Sequence, residues 1–223
     1  MATARLVVMI SGYGRNFQAI LRATHSAQVP ATVAAVISNN PLAGGLAHAR
    51  EAGVPTFVIN HRGYADRAAF EQALTEAIDP LAPDFVVLAG FMRVLGSEFV
   101  QRYRGRLLNI HPSLLPKYPG LRTHERVLAD GEPWHGASVH FVTEAVDGGP
   151  VILQGRIAVK RGDNPEVLAA RVLQEVEVVI YPKVLQWACS GRLGLKGEQV
   201  MLDGKVLARP LQLDEIGNEV ANA

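Results

Sequence analysis

The residues best suited to chemistry are Asn109 and His111, the two polar side chains in an apolar run that ends at Pro112. Residues two apart in an extended chain point to the same side, so a carboxamide and an imidazole lie side by side. Pro112 cannot continue a central strand, which places His111 at the strand's carboxyl end, where open α/β sheets bind ligands. There the pair can stabilise an oxyanion and transfer a proton. The spacing alone is more typical of buried polar groups bonded to backbone.

A turn with two glycines follows the first apolar run of the chain. Gly12 and Gly14 lie in it, and Arg15 and Asn16 lead into a helical pattern from Phe17. Backbone N–H groups that such a turn presents at a helix N-terminus bind phosphate. A dinucleotide fingerprint needs a third glycine, which is absent, so the turn gives little indication of a dinucleotide cofactor. A plain strand-to-helix turn explains these residues equally well.

Two charged residues stand where each has more than one explanation. The helix predicted over residues 65–78 begins near Asp66 and places Arg67 in its first turn, where the helix dipole disfavours a cation. Arg67 is therefore either solvated, which is the more common case, or positioned to meet an anion. Asp147 precedes Gly148 in a loop, where it either forms the turn or supplies a carboxylate to a site.

The segment from Gly90 to Gly96 follows a buried strand predicted over residues 85–89. This segment lies at a strand's carboxyl end, where an apolar wall can receive a planar heterocycle. Its apolar members are Phe91, Met92, Val94 and Leu95. For Val94 and Leu95, ordinary core packing is an equal alternative.

Composition limits the classes of function. The chain has 223 residues, 48% of them hydrophobic, and a net charge of +1, which suits one sizeable core and argues against a general nucleic-acid-binding surface. The single cysteine, Cys189, excludes an intramolecular disulfide and a multi-cysteine zinc site. The first apolar run is too short for a signal peptide or a membrane span. We therefore expect a soluble, cytoplasmic protein.

The order of the predicted elements indicates an α/β fold with a single doubly wound, mostly parallel sheet. Apolar runs alternate with helical patterns through the first half of the chain. The predicted strands of that half cover residues 5–10, 32–38, 56–59, 85–89 and 107–111, and the helices after the first cover 43–52, 65–78 and 97–102.

The second half of the chain indicates an antiparallel edge to that sheet. Strands over residues 137–143 and 151–159 are joined by a short glycine-containing loop. A helix covers 123–130, and the longest helix runs from Asn164 to Ser190 with a kink at Pro182. A hairpin turns at Asp203-Gly204. We expect one domain over residues 1–213 and a flexible tail over 214–223.

These motifs together resemble the folate-dependent formyltransferase family. The resemblance extends from Leu6 to Ala208, and several long motifs in order and at compatible spacing make it specific. The motifs are Ser11 to Asn16, Ala89 to Arg93, Leu107 to Gly120, His135 to Val142 and Asp147 to Pro150.

The resemblance implies a reaction and a set of roles. A formyl group passes from the co-substrate 10-formyltetrahydrofolate to the amine of glycinamide ribonucleotide in purine synthesis, without a metal. Asn109, His111 and Asp147 form the implied catalytic set, in which Asp147 keeps His111 protonated and the other two stabilise the oxyanion. The implied ribonucleotide contacts are Gly14, Arg15, Asn16, Gly90, Pro112 and Glu177. The implied folate contacts are Arg67, Met92, Arg93, Val94, Leu95 and Asn109.

Two positions depart from the family pattern. Arg15 stands where the family usually has serine; arginine can bind phosphate through two hydrogen bonds, but the hydroxyl contact is lost. Glu177-Val178 stands where the family tends to have Glu-His, and the spacing from Arg171 is one residue longer. The assignment of Glu177 to the ribonucleotide depends on how that extra residue is accommodated.

Other functions remain to be weighed against this one. Methionyl-tRNA formyltransferase normally carries a further C-terminal domain and formyltetrahydrofolate hydrolase a further N-terminal one, and we expect neither here. A nucleotide-binding module without catalysis explains the glycine turn but leaves Asn109, His111 and Asp147 unexplained. We therefore expect small-molecule substrates, no nucleic-acid or membrane partner, and a monomer or weak homodimer.

Overall fold

The computed structural model describes residues 3–216, and its centre is one eight-stranded sheet. The sheet follows the order β11-β7-β6-β5-β4-β1-β2-β3. Its strands are β1 (Ala4–Ile10), β2 (Ala31–Ser38), β3 (Thr56–Val58), β4 (Phe85–Leu88), β5 (Leu107–His111), β6 (Trp134–Phe141), β7 (Val151–Ala158) and β11 (Leu211–Gln212). A second, three-stranded sheet contains β8 (Leu193–Lys196), β9 (Gln199–Leu202) and β10 (Lys205–Val206).

The predicted topology is confirmed. Strands β1 to β5 pair in parallel, whereas β6 pairs antiparallel with both β5 and β7. The short β11, which the sequence did not predict, pairs in parallel with β7 and forms the outermost strand. The predicted hairpin at Asp203-Gly204 joins β9 and β10, and β8 extends it to three strands.

Helices cover both faces of the large sheet, and β1 shows why its sequence is apolar throughout. Leu6 and Val8 pack on one side with Phe17, whereas Val7 and Met9 pack on the other. A parallel strand that is buried on both faces needs such a continuous apolar run. The helices are α1 (Arg15–His25), α2 (Gly45–Glu51), α3 (Arg67–Ile78), α4 (Ser97–Arg102), α5 (Thr123–Ala129), α6 (Pro165–Val172) and α7 (Val178–Cys189).

The long C-terminal helix contains a π-helical turn, Leu173–Glu177, between α6 and α7. Such a turn takes up one extra residue while the flanking helix continues. It therefore lies where the spacing between Arg171 and Glu177 is one residue longer than the family pattern. The α-helix then continues through Pro182. Proline has no N–H, so it cannot donate to the carbonyl of Val178, the residue directly after the π-helical turn. A kink at Pro182 stays a prediction.

The ends of the described chain bear on two further expectations. Residues 217–223 of the predicted tail lie outside the described residues, but Ile216 is buried against the core. The boundary of a single domain at residue 213 stays a prediction. None of the helices within residues 3–216 combines the length and apolar character needed to cross a bilayer.

Candidate active site

The three residues of the predicted catalytic set meet at the carboxyl end of β5. Asp147 Oδ2 lies 3.3 Å from His111 Nδ1, and Asp147 Oδ1 lies 3.5 Å from Asn109 Nδ2. All three line a cavity of about 460 Å³. Pro112 follows β5 directly, as predicted, and the strand ends at His111. The structure therefore brings together side chains that are up to 38 positions apart in the sequence.

The side chain of Asp147 has long-range partners rather than local ones. Its Oδ2 accepts a hydrogen bond of 2.8 Å from the Gly120 N–H, in addition to the contacts with Asn109 and His111. Its backbone is left-handed, with φ of 51°. Two residues later, a Cβ on Gly149 would lie 1.8 Å from the Phe141 carbonyl oxygen, so only glycine fits. The loop thus carries Asp147 into the site, which is more than turn formation requires.

His111 is nearly buried and both of its ring nitrogens face oxygen acceptors. Its Nε2 lies 2.9 Å from the Tyr118 carbonyl oxygen and its Nδ1 faces Asp147. A neutral imidazole carries one N–H and would leave a lone pair against one of these oxygens. A doubly protonated ring would donate to both oxygens.

His140 is a component of the site to which sequence reasoning gave no role. It lies on β6 directly opposite Asn109, because β5 and β6 pair in that register. Its Nδ1 donates to the Phe141 carbonyl, which leaves Nε2 as the acceptor for Asn109 Nδ2 at 3.1 Å. Burial lowers the pKa of His140, in keeping with a neutral ring. Only the register across the two strands could have revealed this contact.

The glycine turn lies between β1 and α1, close to the cavity but outside its lining. Gly14 has φ of 77°, and a Cβ there would lie 2.8 Å from the Gly45 Cα. Helix α1 has no side-chain cap and no acidic residue in its first turn, so its first N–H groups stay available for an anion. Arg15 is exposed, with its guanidinium 5.5 Å from the centre of the Tyr13 ring.

Glu177 lies beneath this turn. Its carboxylate accepts a hydrogen bond of 2.5 Å from Asn16 Nδ2, so the π-helical turn leaves it facing the predicted phosphate loop. Burial raises the pKa of the Glu177 carboxyl, and the Asn16 bond opposes that shift. Neither Glu177 nor Asn16 lines the cavity.

The predicted folate residues divide into two groups. Met92, Arg93, Val94 and Leu95 all line the cavity, together with Gly90. Val94 is 55% exposed and Leu95 only 7%, so of the two alternatives core packing describes Leu95 better than Val94. Arg67 is the first residue of α3, which starts directly after its N-cap Asp66 and so near the predicted start, and it lies outside the cavity lining.

Comparisons with known proteins decide the family. Residues 4–185 match the family model described as formyl transferase. The chain belongs to the formyl transferase family. The family that the motifs predicted is thus confirmed. Within residues 3–216 the structure contains no group of three His, Cys, Asp or Glu residues arranged to hold a metal ion.

Within this formyl transferase family, individual relatives cover nearly the whole chain. The phosphoribosylglycinamide formyltransferase of Escherichia coli is 50% identical over 202 residues, which are 91% of this chain and 95% of that protein. The structure of phosphoribosylglycinamide formyltransferase from Coxiella burnetii is 48% identical with a TM-score of 0.90, covering 95% and 99% of the two chains. A formyltetrahydrofolate deformylase from Pseudomonas putida is 25% identical with a TM-score of 0.81, covering 90% and 70%.

Proposed function

We propose that the protein transfers the formyl group of 10-formyltetrahydrofolate to the amine of glycinamide ribonucleotide, a step of purine biosynthesis. Relatives named phosphoribosylglycinamide formyltransferase cover almost the full chain, and the one from Escherichia coli is 50% identical. The observation that carries the proposal is the convergence of Asn109, His111 and Asp147 beside one cavity. Binding of a nucleotide alone does not require an imidazole, a carboxamide and a carboxylate that contact one another at one point of the cavity.

The chemistry follows from what these groups can donate. The amine nitrogen attacks the formyl carbon, and the carbonyl oxygen becomes negative. Asn109 donates an N–H to that oxygen, and protonated His111 donates with charge. As the bond between carbon and the folate nitrogen breaks, the attacking nitrogen loses one proton and the folate nitrogen gains one, with His111 as the donor. These steps require neither a metal nor a covalent enzyme intermediate.

His111 must exchange one of its protein contacts to take part. Its bond to the Tyr118 carbonyl is 2.9 Å long and well formed, whereas the Asp147 contact is 3.3 Å. We expect the longer contact to yield to substrate, with Asp147 remaining close enough to stabilise the positive ring. Asp147 can also order a water that carries the proton lost by the amine to His111, which restores the protonated ring.

The ribonucleotide phosphate fits the turn at Gly14, Arg15 and Asn16. An uncapped helix N-terminus offers N–H groups, and Arg15 adds a guanidinium with no carboxylate within 4 Å among residues 3–216. Gly90 and Pro112 border the cavity, the Gly90 carbonyl accepts a hydrogen bond from the Ser11 N–H of the turn, and Glu177 supports the turn through Asn16. These contacts hold the amine at the formyl carbon.

The formylated folate fits the cavity itself. Its lining combines the apolar residues Met92, Val94 and Leu95 with Arg93 and Asn109. A cavity of this kind receives a planar heterocycle. Arg67 is 59% exposed at its side chain, with its guanidinium near Gly96, where it can meet an anionic part of the folate.

The test is a spectrophotometric assay of purified protein with 10-formyltetrahydrofolate, with and without glycinamide ribonucleotide. Release of deformylated folate only when the ribonucleotide is present is the expected result. Release without it would instead indicate a deformylase, the activity named for the Pseudomonas putida relative. No release in a folded, folate-binding protein would contradict the proposed acceptor.

We further propose that the protein is cytoplasmic and a monomer or weak homodimer. Light scattering at several protein concentrations tests the oligomeric state.

A further inference from the structure

Glu71 is a buried carboxylate that no step of the proposed reaction uses. It lies on α3, one turn after Arg67, and is only 8% exposed. Its Oε1 accepts a hydrogen bond of 2.7 Å from the Gly96 N–H and lies 3.7 Å from Arg67 Nε. Burying a charged carboxylate is costly unless it is paired and hydrogen-bonded. This one satisfies that need with Arg67, a proposed folate contact, and with the backbone N–H that directly follows the cavity-lining residues Met92 to Leu95.

The segment that Glu71 contacts is fixed at both of its ends. At the start, the Met92 N–H donates to Ser11 Oγ at 2.7 Å, and Ser11 in turn donates to Asn39 Oδ1 at 2.6 Å. At the end, Glu71 holds Gly96. Between them, Arg93 is exposed and Val94 is 55% exposed, and only Leu95 packs in the core. Its conformation therefore depends on the two polar anchors together with the buried Leu95.

Gly96 allows an unusually close approach of Glu71. A Cβ at this position would lie 2.8 Å from Glu71 Oε2 and 3.4 Å from the Arg67 guanidinium. The carboxylate, the guanidinium and the backbone of Gly96 thus form one compact group. A single carboxylate links the side-chain cation and the backbone segment that are both expected to contact folate.

We propose that Glu71 is a positioning residue that sets the 92–96 segment and the Arg67 guanidinium for binding of the formylated folate. The inference rests on the proposed function only in taking these groups as the folate site. The two contacts of Glu71 differ in what they need. The Gly96 N–H needs an acceptor, which glutamine also provides, whereas the Arg67 guanidinium needs the negative charge.

The experiment compares Glu71→Gln and Glu71→Ala in the full chain. Glu71→Ala removes both contacts and is expected to raise the KM for 10-formyltetrahydrofolate by about tenfold or more, on the scale of a lost charged hydrogen bond. Glu71→Gln keeps the acceptor for Gly96 and is expected to raise that KM by only about threefold. In both variants the KM for glycinamide ribonucleotide stays within about twofold of the wild-type value.

The matched control is Glu76→Gln, which removes the same charge from an exposed position of the same helix. It is expected to leave both KM values unchanged. A purely structural role for Glu71 predicts a lower melting temperature with both KM values unchanged, and that result would overturn the inference. So would an equal rise of the two KM values.

Calorimetric titration with 10-formyltetrahydrofolate separates this inference from the proposed function. If wild-type protein binds folate but transfers no formyl group, the proposed function fails, and the dissociation constants of the variants still decide the role of Glu71. If Glu71→Ala does not fold, Glu71→Gln decides alone. An unchanged folate affinity of Glu71→Gln would then contradict the proposal that the negative charge of Glu71 positions Arg67. If wild-type protein binds no folate, both ideas are wrong.

Discussion

The catalytic end of β5 and the glycine turn before α1 both lie at carboxyl ends of parallel strands but are built in opposite ways. Around His111 and Asn109, each polar side chain already has protein partners, including Asp147, His140 and the Tyr118 carbonyl. At the turn, α1 begins without a side-chain cap, and Arg15 has no carboxylate partner among the described residues. The protein itself pairs the polar groups of the first region, whereas the second leaves its helix N–H groups and the Arg15 guanidinium for a ligand. Substitutions should therefore affect rate in the first region and binding in the second.

The largest effect is expected from Asn109→Ala and His111→Ala. Each removes a donor aimed at the developing oxyanion, and loss of one such donor typically lowers kcat by about 10²–10³. The KM for glycinamide ribonucleotide should change little. Steady-state kinetics on each variant provide the measurement.

Asn60→Ala is a matched control, because it removes an exposed carboxamide that caps the short turn His61–Gly63. It should leave kcat unaltered. Wild-type turnover in folded Asn109→Ala or His111→Ala would refute the catalytic assignment of that residue.

A slightly smaller effect is expected from Asp147→Asn. The amide can still accept from the Gly120 N–H, so the loop keeps its anchor, but the negative charge that stabilises protonated His111 is gone. We expect kcat at neutral pH to fall by about 10²-fold, with a changed pH profile. Nitrogen chemical shifts of the His111 ring should show two protonated nitrogens in the wild type and one in the variant.

Asp203→Asn is the control for this substitution. Asp203 also has a left-handed backbone, with φ of 52°, and also faces a cation, Arg192, but in the small sheet. Its loss should leave the rate unaltered. An Asp147→Asn variant with the pH profile of the wild type would show that the carboxylate does not control His111.

How much of this site the sequence could predict follows from the range of each contact. The pair Asn109 and His111 depends only on the two-residue period of a strand and on Pro112, so it was predictable. The start of α3 near Asp66 is equally local. His140 has no local signal, because its contact with Asn109 exists only through the register of β5 against β6. The register of two strands is a property of the folded sheet, and the spacing of residues along the chain does not predict it.

The same distinction applies to the longest helix. The extra residue between Arg171 and Glu177 was visible in the sequence as a departure from the family pattern. The structural effect of that extra residue was not visible, since an inserted residue can either rotate the following helix or form a π-helical turn. The structure adopts the turn at Leu173–Glu177, and Glu177 keeps its contact with Asn16.

A third test concerns the backbone of the glycine turn. Gly14→Ala combines a left-handed φ of 77° with a Cβ placed 2.8 Å from the Gly45 Cα. The strain should lower the free energy of unfolding by about 2 kcal/mol, and the KM for glycinamide ribonucleotide should rise more than kcat falls. Urea unfolding and steady-state kinetics measure the two effects.

Gly53→Ala separates the two causes of that strain. Gly53 has a similar φ of 70° but no atom within 4 Å of the added Cβ, so it reports the backbone cost alone, about 1 kcal/mol. Equal losses in the two variants would show that the contact between Gly14 and Gly45 imposes no constraint.

The smallest effect is expected from Arg15→Ser, which restores the residue usual in the family. It removes an exposed guanidinium but supplies a hydroxyl that can also donate to phosphate. We therefore expect the KM for glycinamide ribonucleotide to rise by only about three- to tenfold, with kcat nearly unchanged. Arg22→Ala on the same helix is the control, because it removes an exposed cation from the last turn, away from the phosphate loop.

Because an exposed charge is screened by salt, the difference between wild type and Arg15→Ser should shrink as ionic strength rises. A difference that is independent of salt would indicate that Arg15 acts through packing on the Tyr13 ring, and the contrast between an open phosphate loop and a pre-organised catalytic end would then be smaller than the structure indicates.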